Sequence, residues 1–191
     1  MKTRVITGIV LALVLVPLFV IGGIPLNITL LLLTMAASYE LFTMYNKKAA
    51  LPKYLMVTEV LLGGVTYFTI QSYYEGTTTL EWTFLMVVGL LIIGALLLVF
   101  LENFNANNYG EMLVSILYSA FGFGALFALR NIDLYNLGFL FMITIFTDMF
   151  AYFVGVKFGK HRLAVKISPK KSIEGSIGGT VMATIITMIY L

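Results

Sequence analysis

Six of the chain's twelve lysines and arginines fall within one stretch, KFGKHRLAVKISPKKSIEGSIGG, Lys157 to Gly179, and the types and spacing there point to the binding of phosphate. Ser168 followed by Pro169 reads as a helix start. Serine can cap free backbone N–H groups, and proline at the first helical position loses no hydrogen bond. Such an N-terminus attracts anions through its unpaired N–H groups and the positive end of the helix dipole. In this reading Lys170 and Lys171 place two full positive charges within the first turn, against the dipole, and a bound phosphate would relieve the conflict. Ser172 adds a hydroxyl one turn later, and Lys160 and His161 in GKHRL are further candidate phosphate contacts. Glu174 could hold a lysine or a metal-bound water. Gly175 and Gly179 form a GxxxG spacing that lets a helix or a ligand approach closely. The plain alternative is that these lysines attract anionic lipid and the glycines merely pack.

A carboxylate precedes this stretch. In FTDMFAYFVG, Thr144, Asp148, Tyr152 and Gly155 recur at helical spacings and form a narrow polar stripe. An acidic group near the centre of a membrane span costs about 2.5–3.5 kcal/mol on insertion scales, so its presence needs a reason. Either Asp148 bonds to neighbouring helices, or it faces a cavity open to the cytoplasm and holds Mg²⁺ beside phosphates. Glu40, in ASYELFTMYNKK, reads as structural, paired with a lysine or reaching the interface.

These groups need elements to position them, and composition says of what kind. The 191-residue chain is 60% hydrophobic and 11% charged, with a mean hydropathy of +0.99, which excludes a water-soluble surface. Apolar runs near the roughly 20 residues that cross about 30 Å of hydrocarbon recur throughout. Seven can be counted: Val5 to Ile21, Ile24 to Tyr45, Tyr54 to Tyr73, Trp82 to Leu101, Met112 to Leu129, Leu134 to Val156 and Ser176 to Leu191. None alternates apolar with polar, so the fold class expected is all-α, a polytopic helical membrane protein. The first run has the body of a secretory signal but no small-x-small cleavage site, so it reads as a retained helix. The absence of cysteine excludes disulfides and thiolate metal sites, and the single histidine excludes a multi-histidine one.

Thr147 to Gly179 resembles the phosphatidate cytidylyltransferases, the bacterial CDP-diacylglycerol synthases. The residues that carry the likeness are Thr147, Asp148, Ala151, Tyr152, Gly159, Lys160, His161, Ile167, Ser168, Pro169, Lys171, Ser172, Glu174, Gly175, Gly178 and Gly179. Weaker similarity reaches the N-terminus through MKTRVITGIVLAL and the YEL around Glu40. Met149 and Phe150 stand where many members have threonine and glycine, and Val165 where proline is frequent. The longer signature that follows in the family is missing from these 191 residues, and the seventh run is short for a span. The expectation is therefore a C-terminally truncated chain, inactive alone. The resemblance implies one transmembrane domain over 1–191, with N-terminal spans over 1–135 and the start of a catalytic region over 136–191. It also implies CTP and phosphatidate as substrates, Mg²⁺ as cofactor, membrane lipid but no nucleic acid as partner, a homodimer as an assembly open to it, and a bacterial cell membrane. Asp148 and Lys171 would be catalytic. Ser168, Lys170, Lys171, Ser172, Lys160 and His161 would hold substrate phosphates, and Asp148 and Glu174 the metal.

Rival readings are a non-catalytic, lipid-binding relative, a small transporter, for which Gly63-Gly64 and Gly122 with Gly124 give only slight support, and a lipid kinase. Topology follows from charge, because basic residues mark the cytoplasmic end of a span. Placing Lys2 and Arg4 inside also places Lys47, Lys48, Lys53 and the 157–175 loop inside, leaving Arg130 as the one basic residue outside. Cysteines introduced at Ser172 and Thr78 should therefore be labelled from opposite sides of sealed vesicles, Ser172→Cys from the cytoplasmic face. Labelling of that position only from outside would reverse the topology.

Overall fold

Glycines, prolines and asparagines punctuate the chain where the apolar runs end. The structure, a computed structural model, describes residues 2–49 and 51–190. The side chains of residues 2–5, 7–9, 11, 12, 48 and 49 lie outside the described residues, and with them the topological votes of Lys2, Arg4 and Lys48. Helix α1 (Lys2–Ile21) breaks at Gly22 and Gly23, whose φ angles of +69° and +59° suit residues without a Cβ. Helix α2 (Gly23–Ala49) follows, then α3 (Lys53–Tyr74), which begins directly after Pro52. Helix α4 covers Leu80–Phe100 and α5 Ala106–Ile132. Asn105 and Asn108 cap the start of α5 reciprocally, each side-chain oxygen accepting the other's backbone N–H at 3.1 Å. This pairing carries the helix into the ENFNANNYGE segment that the sequence alone leaves as a loop.

These five helices form one compact unit, Met1–Ile132, and Asp133–Leu191 forms a second. The second holds α6 (Leu134–Phe158), a hairpin of β1 (Arg162–Ala164) and β2 (Ser168–Ser172), and α7 (Ile173–Tyr190). Among the described residues the chain is thus helical apart from connecting turns and one small antiparallel hairpin. Over its described residues each of the seven apolar runs lies on a helix, save Leu101, which caps α4. Among the described residues five helices are long and apolar enough to cross a membrane: Gly23–Lys47, Leu80–Phe100, Ala106–Ile132, Leu134–Phe158 and Ile173–Tyr190. Helix α3 is less apolar than the expected span because it carries Glu59, Thr66, Gln71 and Ser72, all of which it buries. The protein is an integral membrane protein.

The first unit buries small hydroxyl residues within an apolar core and turns further apolar side chains outward. Phe84 and Val99 are 66% and 76% exposed, while Thr34, Ser38, Thr66 and Ser115 are fully enclosed. In lipid, apolar surface gains nothing by turning inward, so small and hydroxyl residues bring the helices together. The Ser38 and Ser119 hydroxyls lie 2.8 Å apart, joining α2 to α5. Tyr67 of α3 donates its hydroxyl hydrogen to the side-chain oxygen of Asn27 on α2 at 2.8 Å. Arg130, the lone basic residue on the expected outer side, is held by the end of α1: its guanidinium donates to the carbonyls of Phe19 and, at 2.9 Å, Val20. A cation on free C-terminal carbonyls satisfies them and complements the helix dipole, which accounts for the exception to the charge pattern.

Gly63 shows how close α3 must come. A Cβ there would sit 2.5 Å from the Ser38 hydroxyl oxygen but 3.4 Å from its Cβ. Gly63→Ala should therefore cost about 1–3 kcal/mol through overpacking, and Ser38→Ala about 0.6 kcal/mol through the lost interhelical bond. The double variant should be more stable than Gly63→Ala alone, because the clash is with the hydroxyl that Ser38→Ala removes. Unfolding midpoints of the four proteins in detergent check this, and additive losses would refute it.

Candidate active site

The second unit is built on backbone contact between α6 and α7. Small residues on α6, Ala151 and Gly155, meet small residues on α7, Gly175 and Gly179. A Cβ on Gly175 would lie 2.6 Å from the Ala151 carbonyl oxygen and 2.9 Å from the Gly155 Cα, and one on Gly179 would lie 2.6 Å from the Thr147 carbonyl oxygen. The GxxxG spacing thus serves helix packing, and its partner is α6. At the far end Tyr135 stacks on Tyr190 with ring centroids 4.5 Å apart, and its hydroxyl donates to the Tyr190 carbonyl. The start of α6 therefore lies beside the end of α7, and the two helices run antiparallel. The hairpin is displayed at the opposite end of the pair.

Here the structure corrects the sequence reading. Ser168 and Pro169 do not start a helix; they begin β2, and α7 starts at Ile173. The cap is Ser172, whose hydroxyl oxygen accepts the Gly175 N–H at 3.2 Å. Ser172 is buried, so its hydroxyl is spent on the cap and on packing beside Gly155 and Gly159, and is not presented to a phosphate. Lys170 and Lys171 lie on β2, before the helix and outside its first turn. The first turn carries Glu174 instead, the sign that the dipole favours. Strand pairing prevails at Ser168 because Arg162 and Ala164 offer it partners: Arg162 faces Ser172 and Ala164 faces Ser168. Between these anchors Pro169, Lys170 and Lys171 stand opposite the single residue Leu163. They form a bulge, and proline, which has no N–H to give the ladder, is tolerated there.

Glu174 is the hub of the site. Its carboxylate accepts the backbone N–H of Lys160 at 3.0 Å and that of His161 at 3.2 Å, and one oxygen lies 2.6 Å from His161 Nδ1. The Ile173 N–H donates back to the His161 carbonyl at 2.9 Å. A two-stranded hairpin is marginal alone; these bonds fasten it to the first turn of α7. With three N–H groups on its oxygens, Glu174 fits a structural anion better than the metal ligand that the sequence suggested. His161 is likewise engaged on its Nδ1 side, while its side chain stays 75% exposed.

None of the remaining basic groups here is paired with a carboxylate, though Arg162 donates to the Lys170 carbonyl at 3.5 Å and the Lys157 ammonium lies 5.4 Å from the centre of the Phe158 ring. Lys157, Lys160, Arg162, Lys166, Lys170 and Lys171 are all exposed, and the one ion pair among the described residues is His161 with Glu174. Ser168 is half-buried beside them. Asp148 is placed apart. It is exposed on α6, two turns before Gly155, so about 10 Å along the axis from the level of Gly175. Thr144 and Tyr152 of the stripe are exposed with it, and Thr144 bonds back to the Leu140 carbonyl at 2.9 Å. Asp148 and Glu174 therefore do not converge on one ion, and no cluster of three or more metal-ligating side chains occurs among the described residues. Glu40 is exposed on α2. The parts that sequence reasoning missed are the α6 half of the helix contact and the Glu174 hub. The small-residue series Ala151, Gly155, Gly159, at intervals of four like Gly175 and Gly179, was the available signal for the first. The burial of Ser172 also makes Lys166 the better position for a topological label.

Gly175→Ala should destabilise this unit by about 1–3 kcal/mol, because its Cβ would meet backbone that cannot move aside. Gly122→Ala is the control, since a Cβ at Gly122 meets nothing within 4 Å. Equal unfolding midpoints for the two variants in detergent would show that α6 and α7 are not in backbone contact.

Comparison with known proteins places this geometry. The chain aligns over its whole length with a phosphatidate cytidylyltransferase of Bacillus subtilis (strain 168), at 29% identity over 71% of that protein. It is similar in the same way to the phosphatidate cytidylyltransferases of Staphylococcus haemolyticus (strain JCSC1435) and Staphylococcus aureus (strain COL), each at 28% identity and covering 72% of the relative. No solved structure matches. Residues 2–191 match the cytidylyltransferase family, and with a membrane-helix frame presenting a fastened basic hairpin, the chain belongs to that family.

Proposed function

We propose that the protein is a phosphatidate cytidylyltransferase, making CDP-diacylglycerol and pyrophosphate from CTP and phosphatidate. The observation that carries the reading is the bulge of Lys170 and Lys171 on a hairpin fastened through Glu174, in a chain that matches the family throughout. Both substrates are polyanions, and one is anchored in lipid. A cationic surface at the end of two membrane helices is where their phosphates could meet.

The transfer itself asks for position and charge. A phosphate oxygen of phosphatidate attacks the α-phosphorus of CTP in line, and the bond from that phosphorus to the oxygen bridging the β-phosphorus breaks. Pyrophosphate leaves with the electron pair. Lys170 and Lys171, with Lys160, would neutralise the approaching phosphates and the leaving group, and a rigid hairpin keeps those charges placed before reaction. Ser168 and His161 would add hydrogen bonds at the margin. Ser172 and Glu174 serve by holding the hairpin and the helix start in register.

Mg²⁺ would supply charge neutralisation between the phosphates, and Asp148 is the side chain here that fits it. Magnesium is commonly held by one or two carboxylates together with substrate phosphates. Asp148 is exposed and has no side-chain hydrogen bond or ion pair among the described residues. In this proposal the hairpin faces the cytoplasm of a bacterial cell, where CTP is available.

In the full-length protein, Lys171→Ala should lower kcat/KM for CTP or phosphatidate by about tenfold or more, with unchanged insertion and unfolding midpoint. Asp148→Asn should raise the Mg²⁺ concentration needed for half-maximal pyrophosphate release. Wild-type turnover of both variants across a magnesium titration would leave the two residues without a part in transfer.

A further inference from the structure

The tip of the hairpin exposes apolar side chains that nothing in its own unit covers. Ile167 is 89% exposed, Val165 66% and Leu163 48%, with Lys166 exposed between the first two. The tip is a tight turn, closed by the Ile167 N–H donating to the Ala164 carbonyl at 3.1 Å, so Val165, Lys166 and Ile167 project together. Behind them stand Arg162, Lys170 and Lys171, and the nearest carboxylate in the sequence, Glu174, is already engaged.

We propose that this tip is a membrane-surface anchor, which places Val165 and Ile167 in the headgroup boundary of an anionic leaflet while Lys166 and Arg162 meet lipid phosphates. Location favours it. The hairpin joins α6 to α7, two antiparallel helices that are each long and apolar enough to cross a membrane, so it emerges at a bilayer surface. Chemistry favours it as well. Apolar side chains ringed by lysine and arginine are the composition of interfacial membrane-binding segments, in which burial of the apolar groups and attraction to anionic lipid act together. A second copy of the chain is disfavoured as the occupant, since it would bring the same cations against these. Rigidity matters too, because the Glu174 bonds hold the hairpin to α7 and let a shallowly inserted tip fix the height of the lysine bulge above the lipid. The anchor is distinct from nucleotide transfer, and its test uses neither CTP nor turnover, so the two proposals can fail separately.

The chain has no cysteine, so Ile167→Cys accepts a single environment-sensitive fluorophore. The full chain is reconstituted into vesicles of phosphatidylcholine, with or without phosphatidylglycerol. Its emission is then quenched by lipid carrying a nitroxide high on the acyl chain, or by aqueous iodide. The anchor predicts strong quenching by the nitroxide lipid and protection from iodide, greater in the anionic vesicles. Adding Lys166→Glu should reduce the lipid quenching about threefold in anionic vesicles and little in neutral ones. Iodide quenching equal to that of the free dye would overturn the proposal. So would shielding without lipid quenching, which would mean that protein covers the tip, and shielding that grows with protein concentration in detergent, which would mean contact between copies.

Discussion

The backbone contact between α6 and α7 is the constraint on which the candidate site depends. Gly155 meets Gly175, and Ala151 lies under Gly175 and Gly179, so the helices approach more closely than any larger side chains would allow. Apolar side chains gain little by leaving lipid for one another, so helix association in a bilayer rests on close packing and polar bonds. With α6 and α7 locked at this depth, the segment between them has too little span to wander and folds back as a hairpin. Ser172 is then caught between Gly155, Gly159 and Gly175, where its hydroxyl can do nothing but cap the helix that follows.

A second layer of order is electrostatic. Glu174 gathers two backbone N–H groups and an imidazole at the first turn of α7, which makes one carboxylate the fastening of a strongly basic loop. This arrangement separates duties that the sequence runs together. Glu174 and Ser172 hold the frame, while Lys170 and Lys171 are lifted out of the ladder by a bulge and keep their charges free. A bulge next to a helix start re-aims side chains without lengthening the loop. Cations that must meet a charged substrate are better left unpaired, whereas the frame that carries them needs its charges satisfied.

The first unit follows the same physics on a larger scale. Its interior sets Ser38, Thr66, Ser115 and Ser119 among buried apolar side chains such as Leu30 and Ile116, while further apolar residues are turned outward. The Ser38 hydroxyl bonds across helices to that of Ser119, and the Thr66 and Ser119 hydroxyls bond back to the Leu62 and Ser115 carbonyls of the preceding turn. Arg130 completes the pattern by tying the C-terminal turn of α5 to the end of α1. Helix-end carbonyls compensate this arginine's charge locally, which suits it to the side that the charge rule expects to be outer.

Much of this protein was legible in the sequence, because the bilayer imposes rules that a single chain must obey. Runs of apolar residues had to be helices, since no other open structure satisfies its own backbone in hydrocarbon. Glycines four apart had to mark close packing or a ligand. The run from Thr147 to Gly179 was enough to indicate the family. What the sequence could not decide was which local preference would prevail between Ser168 and Ser172. Serine followed by proline favours a helix start, but the strand partners at Arg162 and Ala164, and a second serine four residues on, moved that start to Ile173. Nor could it show that Glu174 would be consumed by backbone N–H groups, or that Asp148 would stand two turns away from it. Those outcomes depend on the distance between α6 and α7, set by contacts between residues twenty or more positions apart, such as Gly155 with Gly175 and Ala151 with Gly179. Local sequence fixes which conformations are affordable; only the packed helices determine which hydrogen-bond partners are within reach.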